Sequence, residues 1–198
     1  MPKITCPNCA SSNTCRIMYG MPSYTPELEQ KLEAGKVHLG GCIIEVGSPN
    51  RHCNDCELDF DTNAPNIYLD IDGVLLANDL TPANYAKEFL ATVLERYPHT
   101  TYWLTTHCDG DATTAFLYLV GRIPQEAVPF LEKIQPTKWK LWKTEGIDFS
   151  KDFLWLDDTQ FEGEKNALIE KGALDKFILI DLKANPNQLL DVMNSKAE

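Results

Sequence analysis

Two aspartates spaced two apart stand at the end of an apolar run, in Ile67-Tyr68-Leu69-Asp70-Ile71-Asp72-Gly73-Val74-Leu75-Leu76. The two-residue period of a strand puts Asp70 and Asp72 on one side of the chain, and Gly73 permits a sharp turn just past them. A strand this apolar is expected to be buried, so its carboxylates emerge together at the carboxyl edge of a sheet, where open α/β folds bind their ligands. A carboxylate is a weak nucleophile, but a magnesium ion can hold a phosphate beside it and neutralise the charge that would repel it. Taken alone, Asp-x-Asp-Gly also suits a turn that caps a helix, because both residue types are common in turns.

Three further stretches carry residues of matching chemistry. Asp152-Phe153-Leu154-Trp155-Leu156-Asp157-Asp158-Thr159 is a second buried-strand pattern ending in paired acids, and adjacent carboxylates repel one another unless a cation relieves them. Thr100-Thr101-Tyr102-Trp103-Leu104-Thr105 is rich in aromatic and β-branched residues and leads into Thr106-His107. Pro136 to Thr144 holds Lys138, Lys140 and Lys143, compact cations suited to steadying an anion. Far upstream, Cys6-Pro-Asn-Cys9 and Cys53-Asn-Asp-Cys56 form two Cys-x-x-Cys pairs that together offer four thiolates to a tetrahedral zinc ion.

In order and type, the four stretches downstream of residue 66 resemble the motifs of the haloacid dehalogenase-like (HAD) phosphatases, over residues 66 to about 194. The resemblance implies a Rossmann-like, mainly parallel α/β sheet with helices on both faces. It implies Asp70 as nucleophile and Asp72 as general acid and base, with Thr105 (or its neighbour Thr106) bonding the phosphate. The stabilising lysine is expected at Lys140 from its spacing to the last motif, with Lys143 a plausible alternative and Lys138 less so. Asp157 and Asp158 would help hold Mg2+ together with Asp70 and the backbone carbonyl of Asp72, Asp157 being the expected direct ligand. Only 34 residues separate Asp70 from Thr105, and another 34 separate Thr105 from Lys140. Neither interval has room for a cap domain, so the resemblance is to the capless members, whose open sites suit a large phosphorylated substrate. A lid formed by the cysteine-bearing module or a second subunit is the alternative.

The elements that must position these residues follow from the same sequence. Residues 1–62 are expected to form a small zinc-ribbon-like domain with structural Zn2+ on Cys6, Cys9, Cys53 and Cys56, and residues 63–198 the phosphatase-like domain. Pro26 to Glu33 reads as a short helix capped by Thr25. Cys15, His38, Cys42 and His52 are spare candidate ligands, and residues 57–65 read as a linker. Thr81-Pro82 is expected to open an amphipathic helix carrying Tyr85, Phe89, Val93 and Tyr97, and Asp109 to Gly121 a second. A strand is expected near Val128, a helix over 162–171, a last strand over 176–181 and a final helix after Asn185-Pro186.

The chain has 198 residues, 18 basic and 29 acidic, for a net charge of -11. The first 62 residues hold 5 basic and 8 acidic of these, so neither part has the basic footprint of a nucleic-acid binder. No apolar run reaches the length of a membrane span, and no apolar signal region follows Met1, so a cytoplasmic protein is expected. Seven cysteines, an odd number, fit metal ligation better than a disulfide framework. The leading expectation is a Mg2+-dependent phosphohydrolase acting on a phosphorylated substrate, with room at an open site for a macromolecular one. A non-enzymatic alternative keeps the ribbon as a protein-docking module and the second domain as a scaffold or phosphate sensor. A redox protein using its Cys-x-x-Cys pairs is the third.

Overall fold

The computed structural model describes residues 4–44 and 47–195. The chain separates into two compact units, Met1–Ala64 and Pro65–Glu198. Among the described residues, no helix is long and apolar enough to cross a membrane.

The first unit is a four-stranded mixed sheet of order β2-β1-β3-β4, built from β1 (Thr14–Met18), β2 (Val37–Leu39), β3 (Arg51–Cys53) and β4 (Asp59–Phe60). Strand β1 runs parallel to β2 and antiparallel to β3, and β3 is antiparallel to β4. Between β1 and β2 lies α1 (Pro26–Glu33), whose Leu28 N–H is capped by Thr25 Oγ1 at 3.3 Å. Part of the segment read as linker is structural: Phe60 on β4 is buried and packs with Cys6 and Cys53, because an apolar residue beside the knuckles has no other core to join. That cluster is small for a unit of this length, and a fold with so little apolar interior needs another source of stability.

The second unit is a parallel sheet of order β6-β5-β7-β8, formed by β5 (Asn66–Leu69), β6 (Thr101–Trp103), β7 (Phe153–Asp157) and β8 (Phe177–Leu179). Every residue of β5 is buried, as expected of a strand covered on both faces. Helices α2 (Ala86–Arg96), α3 (Thr113–Leu119), α4 (Val128–Leu131) and α6 (Gln188–Ser195) pack with Ile67, Leu69 and Leu156 on one face. Tyr68 and Trp155 point to the other face, where Leu168 of α5 (Glu162–Glu170) covers them. The chain leaves β5 for β6 on one side and crosses to β7 on the other, so β5 and β7 flank a topological switch point.

Two further sequence expectations are revised. Thr81 and Pro82 do not start a helix: Thr81 donates its N–H and hydroxyl to Asp79 Oδ1 at 3.1 and 2.6 Å, closing a polar turn, and Pro82 bridges back to Leu76. The helix begins at Ala86 instead. Val128 lies in a helix, not a strand, because Ala127, Leu131 and Ile134 recur at helical spacing and are all buried. The edge beyond β6 is met instead by a single bridge between Tyr102 and Gln135.

Candidate functional site

Neighbouring parallel strands place the acids. Leu69 pairs with Leu156, so the residues that follow each, Asp70 and Asp157, leave the sheet side by side at its carboxyl edge. Asp158 joins them, and the ligand oxygens of these three residues all lie within 4.8 Å of one another. Gly73 makes room for that approach. It sits at φ +78°, and a Cβ there would lie 2.2 Å from Asp158 Oδ2. Three carboxylates brought this close offer hard oxygen donors that could hold a metal ion.

The lysine in the cluster is Lys143, not Lys140. Its Nζ is 2.8 Å from Asp70 Oδ2 and 2.6 Å from Asp157 Oδ2. Lys140 is exposed, and its backbone N–H is held by Glu145 at 2.9 Å. Lys138 is also exposed and pairs with Asp109 at 3.2 Å. The reason for the choice is local. A 3₁₀ turn over Lys143–Gly146 follows the loop, and the buried Glu164 accepts the Lys143 N–H at 2.9 Å and the Phe161 N–H at 3.0 Å. Glu164 thereby ties the lysine loop to the first turn of α5, a role the sequence did not advertise.

Charge balance at the cluster is uneven. One ammonium faces two buried carboxylates, Asp70 and Asp157, and cannot neutralise both. Burial and the neighbouring Asp70 push the Asp157 carboxyl up to about 7, against the pull of Lys143. Burial alone would lower Lys143, but Asp70 and Asp157 outweigh it and hold its ammonium above the ordinary range. Asp158 is raised too, by partial desolvation and by Asp70. Asp157 is further fixed by the indole N–H of Trp155 at 3.0 Å and the Thr159 N–H at 3.1 Å.

Asp72 lies apart from this cluster. Its Oδ2 meets His107 Nε2 at 2.9 Å, and its Oδ1 accepts the Tyr118 hydroxyl at 3.0 Å. The His107 and Tyr118 rings stack with centroids 3.7 Å apart, and the Arg122 guanidinium covers the tyrosine at 4.4 Å. Of the two threonines, Thr105 is buried with its Oγ1 taking the His107 N–H at 3.4 Å, while Thr106 is exposed in the cleft that contains Asp70.

In the first unit, Cys6, Cys9, Cys53 and Cys56 come together, with sulfur–sulfur separations of 3.6 Å for both Cys6–Cys56 and Cys9–Cys53. The two knuckles are built alike. In one, Cys6 N–H reaches Ser11 O and Ala10 N–H reaches Cys6 O; in the other, Cys53 N–H reaches Leu58 O and Glu57 N–H reaches Cys53 O. Ala10 and Glu57 both adopt positive φ, 56° and 60°, a conformation costing non-glycine residues about 1 kcal/mol and retained where surroundings demand it. The side chain of Asn8 and the Leu58 N–H draw the Cys56 thiol down to about 6. Four sulfurs converging this way can hold a soft or borderline metal such as zinc. Cys15 is buried near Asn54 Oδ1 and Cys42 is exposed, both outside the cluster. His38, His52 and Asp59 form another group, but the histidine rings lie parallel at 3.8 Å. Ring lone pairs lie in the ring planes, so one ion meets both only after a ring turns.

Comparison of the chain with family models, with curated proteins and with solved structures returns no match.

Proposed function

We propose that the second unit is a HAD-like, Mg2+-dependent phosphohydrolase that works through an aspartyl-phosphate. The observation that carries the reading is the convergence of Asp70, Asp157, Asp158 and Lys143 at the carboxyl edge of two adjacent parallel strands. Magnesium held by the three carboxylates would supply neutralisation of the phosphoryl charge. The rest is the work of the chain. Asp70 attacks phosphorus as the ester P–O bond breaks, and Asp72 gives a proton to the departing alkoxide. Asp72 then takes a proton from the water that hydrolyses the aspartyl-phosphate, returning Asp70 and releasing phosphate. Lys143 steadies the anionic oxygens beside the nucleophile, and Thr106 is the threonine within reach of the cleft. His107 and Tyr118 orient the Asp72 carboxyl group by bonding one oxygen each. Most of the rate enhancement in such a site is positioning and charge neutralisation.

The non-enzymatic reading expected a lysine surface remote from Asp70. Lys143 at 2.8 Å from Asp70 weighs against it. For the first unit we propose a structural zinc site, closed by four thiolates. Hydrolysis of an aryl phosphate with and without magnesium, for the protein and for Asp70→Asn, tests the catalytic reading. Magnesium-dependent turnover lost in the variant supports it; equal background rates in two folded proteins remove it.

A further inference from the structure

The floor of the cleft is polar and charged, but its walls are not. The cleft encloses about 460 Å³, and beside Asp70 and Lys143 it is lined by Trp139, Leu141, Trp142 and Phe161. Leu141 and Phe161 are 67% and 59% exposed. Large apolar side chains left in water next to a reactive cluster mark a surface meant to be covered by a ligand. The wall is also built in place. Trp142 lies against the first turn of α5 at Gly163, where a Cβ would meet its ring at 2.7 Å. Its ring stands 6.2 Å from that of Phe161 at a tilt of 48°, forming an aromatic corner. The backbone that carries Trp142 is the one that delivers Lys143, and the backbone that carries Phe161 is held by the same Glu164. Reactive floor and aromatic wall are therefore fixed to each other.

The geometry points to an aromatic phosphate monoester as the substrate class: the phosphoryl group sits at Asp70 and Lys143, and a flat ring on the alcohol packs against Trp142 and Phe161. This rests on the phosphohydrolase reading of the same site and adds what the leaving alcohol must look like. Flat rings gain from offset or edge-on contact with aromatic walls beyond the gain from area alone. A polyol phosphate would leave the corner wet, and an alkyl chain would cover it without the ring–ring contact.

The test separates ring recognition from leaving-group chemistry. Benzyl phosphate and butyl phosphate both release a primary alkoxide, so their intrinsic reactivities are close, and uridine 5′-monophosphate places its ring one sugar further out. Unreactive benzylphosphonate and butylphosphonate, measured by tryptophan fluorescence in magnesium buffer, read binding without any turnover. We expect the benzyl compounds to win by about tenfold or more in both kcat/KM and affinity. That ratio should fall towards one in Phe161→Ala and in Leu141→Ala, exposed positions whose truncation does not threaten the fold. Preference for uridine 5′-monophosphate over benzyl phosphate would assign the corner to a nucleobase; the reverse assigns it to a ring directly on the ester carbon. Equal affinity for the two phosphonates overturns the inference, whether or not hydrolysis is seen. Discrimination in binding without Asp70-dependent hydrolysis would instead leave the ring subsite standing and remove the catalytic reading.

Discussion

Replacing Asp157 by Asn should stabilise the magnesium-free protein at pH 8 while removing its response to magnesium. An unfolded aspartate titrates near about 3.9, whereas Asp157 in the fold is pushed up to about 7. Between those two values the folded chain keeps a proton that the unfolded chain has released. Stability from this group is therefore fully present below about pH 4 and is lost as pH rises through about 7. At about 1.4 kcal/mol for each pH unit, the loss amounts to about 4 kcal/mol at pH 8. Asparagine cannot ionise, so the variant escapes it. One cost offsets part of the gain. Asp157 accepts from Lys143, from Trp155 Nε1 and from the Thr159 N–H through two oxygens, and an amide has only one, leaving a donor facing a donor at about 1–2 kcal/mol. The net expectation is about 2 kcal/mol of stabilisation at pH 8, or about 5 °C in Tm. At pH 4.5 the advantage disappears and the variant is the weaker protein. Thermal and denaturant unfolding, with magnesium omitted and no chelator added so that the cysteine cluster keeps its metal, read this directly. A variant less stable than the parent at both pH values would refute the charge argument. Added magnesium should raise the Tm of the parent, by favouring the ionised carboxylate, and leave that of Asp157→Asn nearly unchanged.

Lys143→Ala should cut kcat/KM by about 10²-fold or more, the usual cost of removing a charged stabiliser at a reacting phosphoryl group, while Lys140→Ala stays within about twofold; steady-state kinetics on the pair distinguishes them. Gly73→Ala forces a side chain into positive φ and against Asp158, so a stability loss of about 1 kcal/mol or more should accompany weaker magnesium affinity, both readable by melting with and without the ion. Cys53→Ser, or a zinc chelator, should collapse the first unit, whose buried cluster of Cys6, Cys53 and Phe60 is built around the cysteines themselves; metal analysis should give one zinc per chain before and none after, with the loss of the unit's amide protection following the metal.

How much of this was legible beforehand varies with physical cause. The pairing of Asp70 with Asp157 was readable because each ends a continuous apolar stretch, and such stretches become adjacent buried strands. The four thiolates were readable because a Cys-x-x-Cys knuckle is local geometry. Lys143 was not separable from Lys140, since spacing along the chain says nothing about which residue a short 3₁₀ turn presents. What decides it is Glu164, some twenty residues away in α5. The Asp72 partners were equally hidden. His107 directly follows the strand-end threonines, which offered a hint, but Tyr118 reaches the aspartate only because α3 packs where it does. Thr81-Pro82 misled because its helix-start chemistry was used by Asp79 to close a turn. Around Val128 a short apolar segment fitted strand and helix alike, and tertiary burial of Ala127, Leu131 and Ile134 chose the helix.

Covalent phosphorylation of Asp70 is read most directly by peptide mass analysis after acid quench of a magnesium-containing reaction. Asp72→Asn with an aryl phosphate is the combination to use: an aryl oxide leaves without protonation, so only the second step is slowed and the adduct accumulates. One phosphoryl group is expected on the peptide containing Asp70, and none when Asp70 is Asn. Turnover that persists in Asp70→Asn, with no phosphoryl-peptide in Asp72→Asn, would contradict an aspartyl-phosphate at Asp70.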